Sequence, residues 1–219
     1  MQVGRPKRSS ASNISGSGES QIARCTELPS KPIARVRTYA SAITLLSDAI
    51  RLICIIFNPT RFLMRKQVGG QMQERIMLAV TSVNKCRFCT WRHTELAGAE
   101  GIPQEAIADL LRVGADSAYV SENEYPSLAY AVHWAETGGH PRVDLREELY
   151  SFYGKEVAIE IEVIIRRIMF GNLTGNTFDA LNSRLHGQPV QGSSLISELI
   201  VGSATPLFLL ANRRANKHG

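Results

Sequence analysis

From residue 71 onward, apolar side chains recur at helical spacing in segments of 10 to 17 residues, and glycine bounds the segments, often with proline beside it. Ile76, Met77, Val80 and Val83 make one stripe; Ile107, Leu110 and Leu111 a second; Leu128, Ala131, Val132 and Ala135 a third. The punctuation runs Gly98 and Gly101 before Pro103, Gly138-Gly139 before Pro141, then Gly154, Gly171, Gly175 and Gly187. Such a pattern predicts a succession of helices packed on one another. The stretch Val157 to Ile165 competes as a strand, because Ile159, Ile161 and Val163 alternate with Glu160 and Glu162. A lone strand has nothing to pair with, and Ile161, Ile164, Ile165, Ile168 and Met169 continue at helical spacing, so helix is the reading there as well.

Upstream, Ile43, Leu46, Ile50, Ile53, Cys54 and Phe57 line one face of a segment spanning 39–57, with Ser47, Asp48 and Arg51 on another. The two charges argue against a membrane span and for an amphipathic helix that meets a core or a subunit interface. Pro59 closes it, and Gly69-Gly70 is read as the end of the next piece. Residues 193–212 are read as a last helix, kinked at Pro206.

Residues 1–37 are different. They hold six serines in the first twenty positions, three prolines and few large apolar groups, which is a composition too poor in apolar surface to order itself. The expected organisation is therefore a disordered basic tail over 1–37 and one helical domain over 38–219. The net charge of +5 belongs to that tail, the remaining bases and acids being balanced, so no basic face for nucleic acid is expected. The tail also has the composition of an organellar transit peptide, which leaves cytoplasmic and organellar locations open, whereas a secretory signal is missing from the pattern.

Chemistry concentrates at Cys86-Arg87-Phe88-Cys89, with His93 four residues on. On a continuous helix Cys89 and His93 lie about 60° and about 20° from Cys86 around the axis, so all three share a face. With Asn84 as the cap, both thiols fall in or near the first turn, where the helix dipole favours thiolate, and Lys85, Arg87 and Arg92 add positive charge. A cytosolic CxxC in that setting reads as redox-active. Zinc is the rival, with His133, His140 or Cys54 completing a site that has no second CxxC, and a pair of buried structural cysteines is the plainest alternative. His133 itself reads as structural.

The pattern Glu74, eleven residues, Cys86, two residues, Cys89, three residues, His93 resembles the active-site motif of the alkylhydroperoxidase D branch of the carboxymuconolactone decarboxylase superfamily. The stretch AVTSVNKCRFCTWRHTELA is similar to that family's core helix pair, and FGNLTGNTFDALNSRL, with Asn172 and Asn176, to its closing segment. The resemblance implies an all-α fold assembled as trimers or hexamers. It implies that Cys89 is the peroxidatic thiol, that Cys86 protonates and then resolves it as a disulfide, and that His93 and Glu74 relay the proton, with no metal, flavin or other cofactor. The implied activity is thiol-dependent reduction of hydroperoxides, with electrons from a protein dithiol or lipoyl group. A disulfide reductase serving a peroxiredoxin and a non-catalytic helical scaffold are the alternatives. Phe88 stands where the family carries a histidine, so one relay member is absent and slow peroxide turnover is expected.

Overall fold

The computed structural model describes residues 36–57 and 67–204, all within one compact unit, Arg35–Gly219. The tail expected over 1–37 and the kink expected at Pro206 lie outside the described residues, apart from Val36 and Arg37. Among the described residues there is no strand. The helices are α1 (Ala42–Ile56), α2 (Gly70–Asn84), α3 (Arg87–Ala99), α4 (Gln104–Val113), α5 (Tyr125–Glu136), α6 (Val143–Tyr153) and α7 (Lys155–Leu185). A 3-10 turn, Gly114–Asp116, follows α4, and α8 occupies 195–204. The all-helical expectation holds, including the helical reading of 157–165, which falls inside α7.

α2 is the central element. Ile76, Met77, Leu78, Ala79, Val80 and Thr81 are consecutive and all buried, which only a helix surrounded on every side allows. It packs against α7, α5, α3 and α4. One side meets Leu128, Ala131 and Trp134 of α5 and Ile161, Ile165 and Ile168 of α7 in the main core. The other side uses Leu78 with Ala97, Ile102, Ala106 and Ile107 to seat α3 and α4. Burying each such side chain stabilises the fold by about 1.5–3 kcal/mol.

Three boundaries differ from expectation. Gly69 and Gly70 open α2 instead of ending a segment, Gly69 being its N-cap. Gly154, with φ 77°, does separate α6 from α7. Gly171 and Gly175 separate nothing: both lie inside the 31-residue α7. A glycine in a helix interior costs about 1 kcal/mol relative to alanine, and the apolar face of α7 buried on α2, α5 and α6 outweighs that cost.

α1 forms as predicted, with Ser41 capping it through Ile43 N–H. Its two faces differ in exposure. Leu45 faces the body beside Tyr39 and Val201, whereas Ile43, Leu46, Ile50, Ile53 and Phe57 are exposed. The stripe expected to meet a core or a subunit interface meets no core among the described residues. No helix among the described residues is long and apolar enough to cross a membrane.

Candidate functional site

The site is made where α2 hands over to α3. Lys85 ends α2 in the left-handed conformation, φ 57°, its N–H still bonded to Thr81 O at 2.8 Å. Few non-glycine residues adopt this backbone, and here it turns the chain so that α3 starts two residues later. Cys86 is the N-cap of α3, with its Sγ accepting the Cys89 N–H at 3.3 Å. The cap expected at Asn84 is therefore at Cys86, and Asn84 is the last residue of α2. Cys86 precedes the helix it was expected to share with Cys89 and His93.

The two thiols are free, and the Cys86 and Cys89 sulfurs lie 2.7 Å apart. A covalent bond needs about 2.05 Å, so a small side-chain rotation closes it. They differ in access and in charge. Cys86 is 1% exposed and Cys89 6%, so Cys89 is the more open of the pair. The Cys89 S–H donating to Cys86 pulls the Cys86 thiol below its ordinary range against the opposing effect of burial, and the Cys89 N–H adds to that. The Cys89 thiol, which gives its proton to that contact and is buried, is pushed far up. Of the two thiols, Cys86 is the one whose ionisation this arrangement favours.

The basic neighbours do not supply that charge bias as expected. Arg87 pairs with Asp179 of α7 at 3.3 Å, Arg92 reaches Glu95 on the surface, and the carboxylate of Asp179 works against ionisation of both thiols. The S–H and N–H donors do the lowering instead.

Glu74 and His93 are brought together from α2 and α3, His93 Nδ1 to Glu74 Oε2 at 2.7 Å. Both are largely buried. A carboxylate only accepts, so Nδ1 carries the proton of this bond, which leaves Nε2 as the ring nitrogen able to take or give a proton. His93 follows Cys89 by four residues on α3, the spacing at which helix side chains are neighbours. Of the four residues expected from the motif, Glu74 thus lies on α2, Cys89 and His93 on α3, and Cys86 between the two helices.

α7 closes the site from behind. Asn176 Nδ2 donates to the backbone carbonyls of Asn84 (2.8 Å) and Arg37 (2.9 Å), and Asn172 Oδ1 accepts from Thr81 Oγ1 at 3.2 Å. Asn84 Nδ2 donates to Met169 Sδ, while Asn84 Oδ1 and Asn172 Nδ2 are buried with no hydrogen-bond partner among the described residues. Gly175 lies directly against the sulfurs, a neighbour that the sequence reading took for a helix break. Phe88, between the cysteines, turns outward and is half exposed against Trp91, ring centroids 5.7 Å apart.

The remaining candidates fall elsewhere. His133 is buried in α5 and its Nε2 accepts the Arg142 N–H at 3.3 Å, the structural part expected of it. Cys54 is exposed on α1, His140 borders a separate cavity of about 220 Å³ against that helix, and Cys25 lies outside the described residues. Among the described residues, no three His, Cys, Asp or Glu side chains gather as a metal site.

One comparison with known proteins finds a similarity, over part of the chain. Residues 60–137 match the carboxymuconolactone decarboxylase family, a segment that takes in α2 to α5 with all four motif residues and stops short of α6 and α7. No curated protein and no solved structure matches the chain.

Proposed function

We propose that this chain, whose residues 60–137 carry the carboxymuconolactone decarboxylase family pattern, is a thiol peroxidase that reduces hydroperoxides through the Cys86–Cys89 couple. The observation that carries the reading is the sulfur pair at 2.7 Å, together with a buried Glu74–His93 hydrogen bond whose histidine follows Cys89 by four residues on α3. In the singly ionised dithiol the charge sits on Cys86, the thiol whose ionisation the Cys89 S–H favours. Moving the Cys89 proton across to Cys86 leaves a thiolate on the more open sulfur and an acid beside it. Cys89 Sγ attacks the nearer peroxide oxygen, the O–O bond breaks, and the departing alkoxide takes a proton, giving an alcohol and a Cys89 sulfenic acid. Cys86 Sγ then attacks Cys89 Sγ, water leaves, and the disulfide forms. An external dithiol, a protein thiol pair or a lipoyl group, then reduces the disulfide by two electrons and returns one proton to Cys89, its second proton replacing the one that left with the hydroxide as water. His93, with Nδ1–H fixed on Glu74, offers Nε2 as the base that takes and returns the proton near Cys89.

The test is peroxide consumption with a dithiol donor. Wild type is expected to turn over, Cys89→Ser to be inactive, and Cys86→Ser to stop at a sulfenic acid on Cys89. Mass spectrometry of the oxidised wild type should show a loss of two protons on the peptide holding both cysteines. Unlinked cysteines after mild oxidation would sink the redox reading and leave the helical scaffold.

A disulfide reductase acting on a partner protein is the second reading, and one observation favours it. Phe88 and Trp91 form an exposed aromatic pair near a thiol whose pKa is lowered by its neighbour's S–H, a surface suited to a docking protein. Exchange with an oxidised peroxiredoxin faster than peroxide consumption would select it. In either case a working dithiol requires a reducing compartment, which points to the cytoplasm or the interior of an organelle. The exposed stripe of α1 is assigned to assembly with further copies of the chain, as trimers or hexamers.

A further inference from the structure

Gly175 uses none of the freedoms for which glycine is usually chosen. It has no positive φ, it ends no helix, and it stands inside α7 where glycine is a poor helix former. What distinguishes it is proximity. A Cβ at 175 would lie 2.8 Å from Cys86 Sγ and 3.8 Å from Cys89 Sγ. One turn earlier on the same helix, a Cβ at Gly171 would meet nothing within 4 Å. Given the 2.7 Å between the sulfurs, the absent Cβ stands nearly at a right angle to the sulfur–sulfur line at Cys86. It would crowd Cys86 from the side. Relief by rotating Cys86 takes its sulfur out of line with Cys89 and off the Cys89 N–H.

We infer that Gly175 is a positioning residue for the dithiol: the bare backbone of α7 leaves the space in which Cys86 Sγ holds the Cys89 N–H and closes on Cys89. The inference deepens the redox reading above and rests on it, but the thiols can be read without any peroxide. Ordinary helix packing explains less, because Gly171 shares the helix and lacks the contact.

The experiment compares wild type with Gly171→Ala, Gly175→Ala, Cys86→Ala and the double variant Cys86→Ala/Gly175→Ala. Three quantities are read: the dithiol–disulfide equilibrium in glutathione buffers, the pH profile of thiol alkylation, and the melting temperature. Gly175→Ala is expected to move the equilibrium toward dithiol by roughly two- to tenfold, the cost of holding a side chain off its rotamer. It should also raise the midpoint of alkylation toward that of an ordinary cysteine. Gly171→Ala should leave both readings at wild type. In the Cys86→Ala background, where the sulfur is gone, Gly175→Ala should raise the melting temperature, as alanine does in an open helix position.

A wild-type equilibrium and pH profile in Gly175→Ala would overturn the inference, whatever its melting temperature. If Gly175→Ala does not fold, the double variant decides: recovery on removing the sulfur supports the inference, and continued failure overturns it. A chain that consumes no peroxide but responds in this pattern loses the peroxidase reading and keeps Gly175 as the positioning residue.

Discussion

Cys86 and Cys89 are three residues apart and chemically unlike, because one caps a helix and the other lies within it. That asymmetry predicts a pH profile. The Cys86 thiol is lowered, so the first alkylation should have its midpoint below the ordinary cysteine value of about 8.5. Above the midpoint the thiolate is present and reactive, and below it the group is protonated and silent. Cys89→Ala removes the strongest donor to Cys86 and should raise the midpoint, while Cys86→Ser should remove the early phase altogether; a first midpoint at or above about 8.5 in wild type would contradict the charge assignment. Glu74→Gln keeps an acceptor for His93 Nδ1 but removes its charge, and a general acid–base role predicts a loss of peroxide rate on the order of 10²-fold or more, measured at saturating dithiol. Phe88→His bears on the relay position filled by histidine in the resembling family. Phe88 turns outward onto Trp91, so an imidazole placed there stands outside the sulfur pair, and the peroxide rate should change by far less than the ~10²-fold a relay member supplies. The motif residues were legible because they are local: Cys86, Cys89 and His93 follow one another within eight positions, and only Glu74 comes from another helix. The cap was misplaced by two residues because Lys85 takes a backbone that its residue type gives no warning of. Gly175 and the asparagines of α7 reach the site through contacts some ninety residues long, which neither spacing nor periodicity encodes.

At the scale of elements, periodicity located the helices and misjudged which faces they bury. The stripe of α2 is one side of a helix covered all round, and Leu78, outside that stripe, seats α3 and α4. The glycines within α7 were read as ends because a single chain gives no sign that burial on several neighbours compensates for poor helix formers. α1 is the clearest case: its strongest apolar stripe is left exposed among the described residues. If further copies cover it, Ile50→Glu combined with Ile53→Glu should lower the mass seen by light scattering to that of one chain while the helical circular dichroism persists. An unchanged mass would move the contact to another face. Because both side chains are already exposed, the substitutions remove little buried area within the chain and leave its own fold in place.

For the whole molecule, the segment before α1 acts as a clasp. Arg37 donates to the carbonyls of Ala135 and Glu136 at the end of α5, its own carbonyl accepts from Asn176, and Tyr39, 1% exposed, bonds through its N–H to Thr177 Oγ1. We expect a chain beginning at Arg35 to melt within about 2 °C of the full one, since the residues removed are poor in apolar groups. A chain beginning at Ala40 loses Tyr39 and the clasp together. Losing one buried aromatic at about 1.5–3 kcal/mol and several hydrogen bonds should lower the melting temperature by roughly 5–10 °C. Equal melting of both chains would show that the clasp contributes nothing. The Asn176–Asn84 bond joins positions 92 residues apart, and α7 supplies the back wall of the dithiol. During synthesis at about 5–20 residues per second, then, the cysteines wait roughly 5 to 20 s after they are made before their shield is translated. For that interval they are ordinary thiols on an unfinished chain, open to mispairing and oxidation, and the reactivity that distinguishes them begins only when nearly the last helix arrives.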